Sequence, residues 1–224
     1  MVSDTTYPAK NDYIWGMNDP LTSLGNVPVT AQTILSLYPD IKDGAQKIGQ
    51  MEREGAIIRL KRGIYVVSSG LTGQVVSEGL VANHLCSPSY LSLSSALRYY
   101  GLIPEAVYEV QSMTLKRSRS ITNTLGHFTY THIDPVAYPI GLRSTREAGV
   151  GFWLASPEKA LCDLIASTPG LNLRFIDQAE CYLEEDIRLD MDAFQAMDQS
   201  ILEEYARVGK KSGSVKTILR LLKK

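Results

Sequence analysis

Glu158 and Lys159 stand side by side after an apolar run, in Ser156-Pro-Glu-Lys-Ala-Leu-Cys-Asp-Leu-Ile165. An acid and a lysine in that position invite comparison with the acid–lysine pair of nucleases. That chemistry needs a further carboxylate on an upstream strand, and none stands out. His84 and Cys86 are two apart and His127 and His132 five apart, and neither spacing is that of a usual zinc site. They are expected as core or surface residues, with no metal. The serines of 87–95 lack a Gly-x-Ser-x-Gly elbow and are expected to cap a helix or turn, not to attack a substrate. No GxxxxGK[ST] or GxGxxG occurs, so no nucleotide cofactor is expected. No catalytic residue is assigned, and the chain is not expected to be an enzyme.

The elements around these residues describe a platform. Ser156 suits an N-cap, Pro157 the first helical position and Glu158 the first turn. Ala160, Leu161, Leu164 and Ile165 recur at helical spacing. The continuously apolar Gly151–Ala155 predicts a buried strand running into that helix. In Tyr90–Gly101, Leu93, Ala96, Leu97 and Tyr100 repeat the helical period, with Gly101 as a C-cap before Pro104.

Nearer the N-terminus, residues 1–28 are polar and interrupted by Pro8, Pro20 and Pro28, and Tyr13–Trp15 can start a short helix or cover a core. Thr30 is expected to cap a helix carrying Ile34, Leu35, Leu37 and Tyr38, stopped by Pro39. Asp43 is expected to cap a second, with Ala45, Ile48 and Met51 inward and Gly55 ending it. The link of three to four residues is the spacing of a helix-turn-helix. Ile57–Val67, apolar at both ends with a basic middle and Gly63 at its tightest point, reads as a β-hairpin. Helix, helix and hairpin follow the order of a winged helix-turn-helix. Its second helix would present Gln46, Lys47, Gln50 and Arg53 to base edges or phosphates, with Lys61 and Arg62 at the hairpin tip.

Gly70–Gly73 reads as a joint, followed by a helix from about Gln74 to Leu85. Val107–Thr114 and Ile121–Ile133 read as two antiparallel strands flanking a basic turn with Lys116, Arg117 and Arg119. Asp134–Gly149 reads as a loop. Two or three acidic amphipathic helices are expected between about Ile176 and Val208, and a basic helix over Val215–Leu222. The fold class is therefore α+β: a winged helix-turn-helix over 1–69, then a mixed α/β domain over 74–224, with strands at about 107–133 and 151–155 and helices at its end.

The net charge of −1 conceals segregation. Lys42–Ser68 carries six basic and three acidic residues, Ser156–Tyr205 three and twelve, and Ala206–Lys224 seven and none. Such separation permits a basic binding face, and Lys116, Arg117, Arg119, Lys210, Lys211, Lys216 and Arg220 are the candidates for a partner surface. At 224 residues with 44% apolar content the chain suits one large domain or two small ones. With no long apolar run and no apolar core in MVSDTTYPAKND, cytoplasmic residence and no membrane are expected. Cys86, Cys162 and Cys181 are scattered and are expected to be reduced and buried.

The order of signals resembles the AbiEi-type antitoxins of type IV toxin–antitoxin systems, which act in abortive infection, a form of phage defence. The matching stretches are Leu60-Lys-Arg-Gly-Ile-Tyr65, Ser89-Tyr-Leu-Ser92 with Ser95-Ala-Leu97, Tyr100-Gly-Leu102, and Ala155-Ser-Pro-Glu-Lys-Ala-Leu161 with Asp163-Leu164. They cover about residues 30–165; the acidic helices and basic tail lie beyond them. The resemblance implies a winged helix that binds duplex DNA at its own promoter, and a C-terminal domain that counters a nucleotidyltransferase-like toxin, with no stable complex required. It places Gln46, Lys47, Gln50 and Arg53 at the groove and Arg59, Lys61 and Arg62 on phosphate, with the SPEKAL residues structural. A protein-interaction module whose winged helix no longer binds DNA is the alternative. A nucleic-acid-processing enzyme is a third reading, and it would need a metal-binding carboxylate cluster.

Overall fold

Asp19 accepts from Leu21 N at 2.8 Å and so opens a 3-10 turn over Pro20–Leu24, the first element of the chain that the computed structural model describes. Residues 19–104 and 108–224 are described, and the chain divides into two compact units, Met1–Val76 and Ser77–Lys224. The Tyr13–Trp15 stretch and Val107 lie outside the described residues.

In the first unit, β1 (Val29–Thr30) leads directly into α1 (Ala31–Leu35), where Thr30 Oγ1 accepts from Thr33 N at 3.1 Å. The helix expected to reach Tyr38 stops at Leu35. Leu37 N and Tyr38 N bond the carbonyls of Ile34 and Leu35 in tight turns, because a residue before proline is pushed out of the helical region. The link to the next helix is therefore longer than the sequence predicts, spanning 36–43. α2 (Gly44–Arg53) is capped by Asp43, which accepts from Gln46 N at 2.9 Å, and Gly55 ends it in the left-handed region at φ +71. Ile48 and Met51 are buried, but Ala45, expected inward, is exposed. Gly44 is the residue that faces the Leu35 side chain, which turns its neighbour to solvent.

β2 (Ile57–Lys61) and β3 (Ile64–Val67) form the hairpin, with Arg62 and Gly63 (φ +77) at the turn and a bulge between Arg59 and Lys61. β1 pairs with the other edge of β3, giving an antiparallel sheet in the order β1-β3-β2. Leu21, Ile34, Ile48, Met51, Ile57 and Val67 form its core. Within Gly70–Gly73, expected as a plain joint, residues 70–72 belong to α3 (Ser69–Thr72), which Ser68 caps and Gly73 closes in the left-handed region.

The second unit opens with α4 (Glu78–Leu85), whose cap is Ser77. The helix starts a few residues later than the expected Gln74, where Ser77 Oγ accepts from Leu80 N. Next come β4 (Ser89–Leu91) and α5 (Leu93–Tyr99). Ser89, Tyr90 and Leu91 are all buried, and three apolar-facing residues before a helix look like its first turn in sequence. The strand exists because β5 (Glu109–Thr114) and a later strand flank it.

The stretch expected as one strand over Ile121–Ile133 is two, β6 (Arg119–Asn123) and β7 (Gly126–His132). Asn123 Oδ1 accepts from Leu125 N at 2.8 Å and shapes the turn between them. That reversal sets β7 parallel to β5, not antiparallel as expected, with Glu109 opposite His127 and Thr114 opposite His132. The Asp134–Gly149 loop is also corrected: it contains β8 (Leu142–Glu147), which returns through Ala148 and Gly149, both at positive φ, to β9 (Val150–Ala155). β8 lacks an apolar alternation because it is an edge strand carrying exposed Arg143, Ser144 and Arg146. β9 is buried on one side only, for Trp153 is 53% exposed.

The sheet order is β6-β7-β5-β4-β9-β8, and β9 runs into α6 (Pro157–Ser167) as expected. α7 (Ile176–Cys181) continues as a π-helical turn over Tyr182–Asp186, followed by α8 (Met191–Gln195), α9 (Gln199–Val208) and α10 (Ser212–Leu222). One apolar cluster joins Tyr90, Leu97, Leu154, Leu161, Phe194, Tyr205 and Ile218 across sheet and helices. Each such side chain contributes about 1.5–3 kcal/mol on burial. The fold is α+β. No helix among the described residues is long and apolar enough to cross a membrane.

Candidate nucleic-acid interface

Gln46, Gln50 and Arg53 are exposed on α2, spaced so that one side of the helix carries all three. Lys47 is half-buried with its ammonium 5.3 Å from the centre of the Tyr38 ring. Gln50 Nε2 donates to Glu54 Oε1 at 2.8 Å. On the hairpin, Arg62 is exposed at the turn and Lys61 is half-buried. Arg59 Nη2 lies 2.8 Å from Glu52 Oε2, and its guanidinium 5.7 Å from the centre of the Tyr65 ring. The Glu52–Arg59 contact ties the hairpin to α2, so all seven residues assigned from sequence sit in one unit. Glu52 and Glu54 also share that region, which therefore has mixed charge. Solvated ion pairs of this kind are worth about 0–1 kcal/mol, so a phosphate can compete for Arg59.

The other basic candidates lie in the second unit. Lys116, Arg117 and Arg119 are exposed where the chain leaves β5 and enters β6. Lys211 Nζ donates to the Thr168 carbonyl at the end of α6. Arg220 donates to Thr217 Oγ1 at 2.9 Å and to the Arg174 carbonyl at 3.3 Å. These two cations fasten the tail to its own unit, while Lys210 and Lys216 are exposed. Ser118 and Lys210 line one cavity, so the fold brings the 116–119 and 210–211 segments together, which their positions in sequence did not indicate.

Sequence reasoning treated SPEKAL as purely structural and missed what its lysine does. Lys159 and Asp163 are both fully buried, with Nζ 3.1 Å from Oδ1. Nζ donates to the Ala137 carbonyl at 2.7 Å and lies 4.5 Å from the Tyr205 ring centre. Asp163 Oδ2 accepts from Tyr90 Oη at 2.9 Å and Ser92 Oγ at 2.8 Å. Oδ1 meets the ammonium off the direction of an aligned hydrogen bond. Ser92 stands at the N-cap of α5 but spends its hydroxyl on Asp163 instead of the helix. Glu158 is also buried, and its Oε1 accepts from Asp198 N at 3.0 Å, holding the start of α9.

Burial lowers the Lys159 pKa below that of an ordinary lysine, against the opposing pull of Asp163. Burial likewise raises Asp163 above the carboxylate range, although Lys159, Ser92 and Tyr90 pull it down. The same desolvation drives the Tyr90 hydroxyl far up. A buried pair with no solvent access, its ammonium held by the Ala137 carbonyl and the Tyr205 ring, fixes how these elements pack. The sequence signal was available: Lys159 and Asp163 are four apart on a helix otherwise apolar on that face.

No group of three His, Cys, Asp or Glu among the described residues can hold a metal ion. His84 bonds the Leu80 carbonyl through Nδ1 at 2.9 Å, and His127 Nδ1 lies 2.6 Å from Thr122 Oγ1. Cys86 and Cys162 are buried and free, but Cys181, expected buried, is exposed. It falls on the acidic outer side of α7, where Glu185 takes its thiol at 3.4 Å. Comparison of the chain with protein-family models and with curated proteins finds no match.

Proposed function

We propose that the chain is a DNA-binding transcriptional autorepressor and antitoxin, with a winged helix-turn-helix in its first unit. One observation carries the DNA reading: α2 exposes Gln46, Gln50 and Arg53 beside a hairpin tipped by Arg62. A helix that offers amide and guanidinium donors suits base edges, and basic residues on a flanking hairpin suit phosphates. The antitoxin reading rests on the resemblance of the Leu60–Tyr65, Ser89–Leu97, Tyr100–Leu102 and Ala155–Leu164 stretches to AbiEi-type proteins. The partners are then duplex DNA of the protein's own promoter and a nucleotidyltransferase-like toxin.

Gel-shift titration of the full chain on its promoter fragment and on random duplex, at two salt concentrations, tests the first part. About six phosphate contacts give a log–log salt slope of about −5. Equal affinity for both duplexes reduces the protein to a non-specific basic one. Co-expression with the toxin encoded beside it tests the second part, and the Lys61→Ala/Arg62→Ala protein should still protect.

A second reading, an interaction module without DNA binding, is favoured by the Gln50–Glu54 and Arg59–Glu52 contacts. They occupy two of the seven DNA candidates with carboxylates. Absence of any gel shift at low salt selects it.

A further inference from the structure

A cavity of about 260 Å³ in the second unit is lined by Ser118, Thr131, His132, Asp134, Ser167 and Lys210. Its polar lining takes Ser118 from one basic segment and Lys210 from the other, which the sequence keeps far apart, and Met113, Ile133 and Tyr205 add apolar lining. We propose that this cavity binds the phosphorylated ribose of a nucleotide, either free or at the 5′ end of a nucleic-acid strand. The inference concerns the second unit alone and goes beyond the reading of the first as a DNA-binding domain.

Three features select that chemistry. Lys210 supplies an exposed ammonium at the wall, with Lys116, Arg117 and Arg119 on the chain segment that also carries Ser118. Clustered cations raise the local concentration of an anionic ligand before contact. Ser118 Oγ accepts from His132 N at 2.9 Å, which leaves its hydroxyl hydrogen for a phosphate oxygen. His132 Nδ1 lies 3.2 Å from the Lys116 carbonyl. A carbonyl only accepts, so Nδ1 carries the proton and Nε2 is the ring's remaining polar atom.

Asp134 decides between a bare anion and a sugar phosphate. Its carboxylate repels phosphate, yet it accepts well from vicinal hydroxyls, as acidic residues do for ribose. Val136 N already holds Oδ1 at 2.9 Å, which fixes the carboxylate in the loop that leaves β7. A cation, hydroxyl donors, a carboxylate and apolar side chains lining one cavity match a ligand with phosphate, diol and ring. Neither inorganic phosphate nor a nucleoside uses all three.

Calorimetric titration of the full chain tests this with adenosine 5′-monophosphate, inorganic phosphate, adenosine, and a short RNA with a 5′-phosphate or a 5′-hydroxyl. The monophosphate should bind at least tenfold more tightly than phosphate or adenosine. Lys210→Ala should weaken it by about tenfold, the usual effect of losing a charged hydrogen bond. Lys223→Ala, on the same terminal segment but paired with Glu203, should leave it unchanged. Tighter binding of the 5′-phosphorylated RNA than of the monophosphate assigns the strand end as ligand; the reverse assigns the free nucleotide. Phosphate binding as tightly as the monophosphate, equal losses in Lys210→Ala and Lys223→Ala, or no binding at millimolar ligand would each overturn the proposal. A promoter gel shift on the same sample reads the first unit separately, so monophosphate binding without a shift upholds this inference and fails only the DNA reading.

Discussion

α2 and α6 each carry a lysine and its acidic neighbours, in opposite surroundings. Along α2 and at its C-cap, Lys47 lies half in solvent and the carboxylates of Glu52 and Glu54 are met by Arg59 and Gln50. On α6, Lys159 and Asp163 are out of water altogether. Charges at the first helix can exchange partners at little cost, which suits binding. At the second, each charge needs the other, because removing one leaves an uncompensated ion in the core. The same residue types are therefore free to exchange partners in one unit and locked into the core of the other, and burial makes the difference.

The largest effect should follow from breaking the buried pair. Lys159→Met should destabilise the second unit by about 3–5 kcal/mol, and adding Asp163→Leu should restore most of it; chemical denaturation measures both. The pH dependences give the sign. Asp163 already titrates above its unfolded value, and loss of the ammonium raises it further. The Lys159→Met protein should therefore be relatively most stable in acid, losing stability as pH rises from the ordinary carboxylate range. In Asp163→Asn the unpaired Lys159, already lowered, falls further. That variant should be best above the ordinary lysine range and lose stability as pH falls. A Lys159→Met profile that keeps the wild-type slope across the carboxylate range, with an Asp163→Asn profile that keeps it across the lysine range, would mean that the charges do not interact.

Next in size is Gly141→Ala. Gly141 has φ +63, and a Cβ there would sit 2.8 Å from Lys159 Cβ and 3.0 Å from Ser156 Oγ. Strain and overpacking together should cost about 3 kcal/mol. A melting temperature equal to the wild type would show that this loop gives way without disturbing Lys159.

The exposed side of the comparison is sharpened by two binding variants. Gln50→Ala should relax base preference by about 1–3 kcal/mol. Lys61→Ala/Arg62→Ala should weaken all duplexes alike and make the salt slope shallower by about 2. Both should unfold like the wild type. If the Lys61/Arg62 pair changes sequence preference and Gln50 does not, the helix side is misassigned. The smallest effect is expected from Lys223→Ala, which removes an exposed ion pair with Glu203 and should leave denaturation unchanged.

Much of the local structure was legible in sequence because it is decided within a few residues. Thr30, Asp43 and Ser156 cap the helices predicted for them, since a short polar side chain satisfies the first amides without tertiary help. The hairpin with Gly63 at its turn and the strand running into Pro157 are legible for the same reason. What the sequence could not supply depends on pairing over distance. β4 looks like helix until β5 and β9 flank it, β8 like loop until β9 pairs with it, and the direction of β7 is set by a turn at Asn123. Lys159 is the sharpest case. The sequence placed it in the first turn of a helix, where a lysine is ordinarily solvated. Only the tertiary structure, by stacking Tyr205, Tyr90 and the Ala137 carbonyl around it, removed the water and made Asp163 its counter-ion.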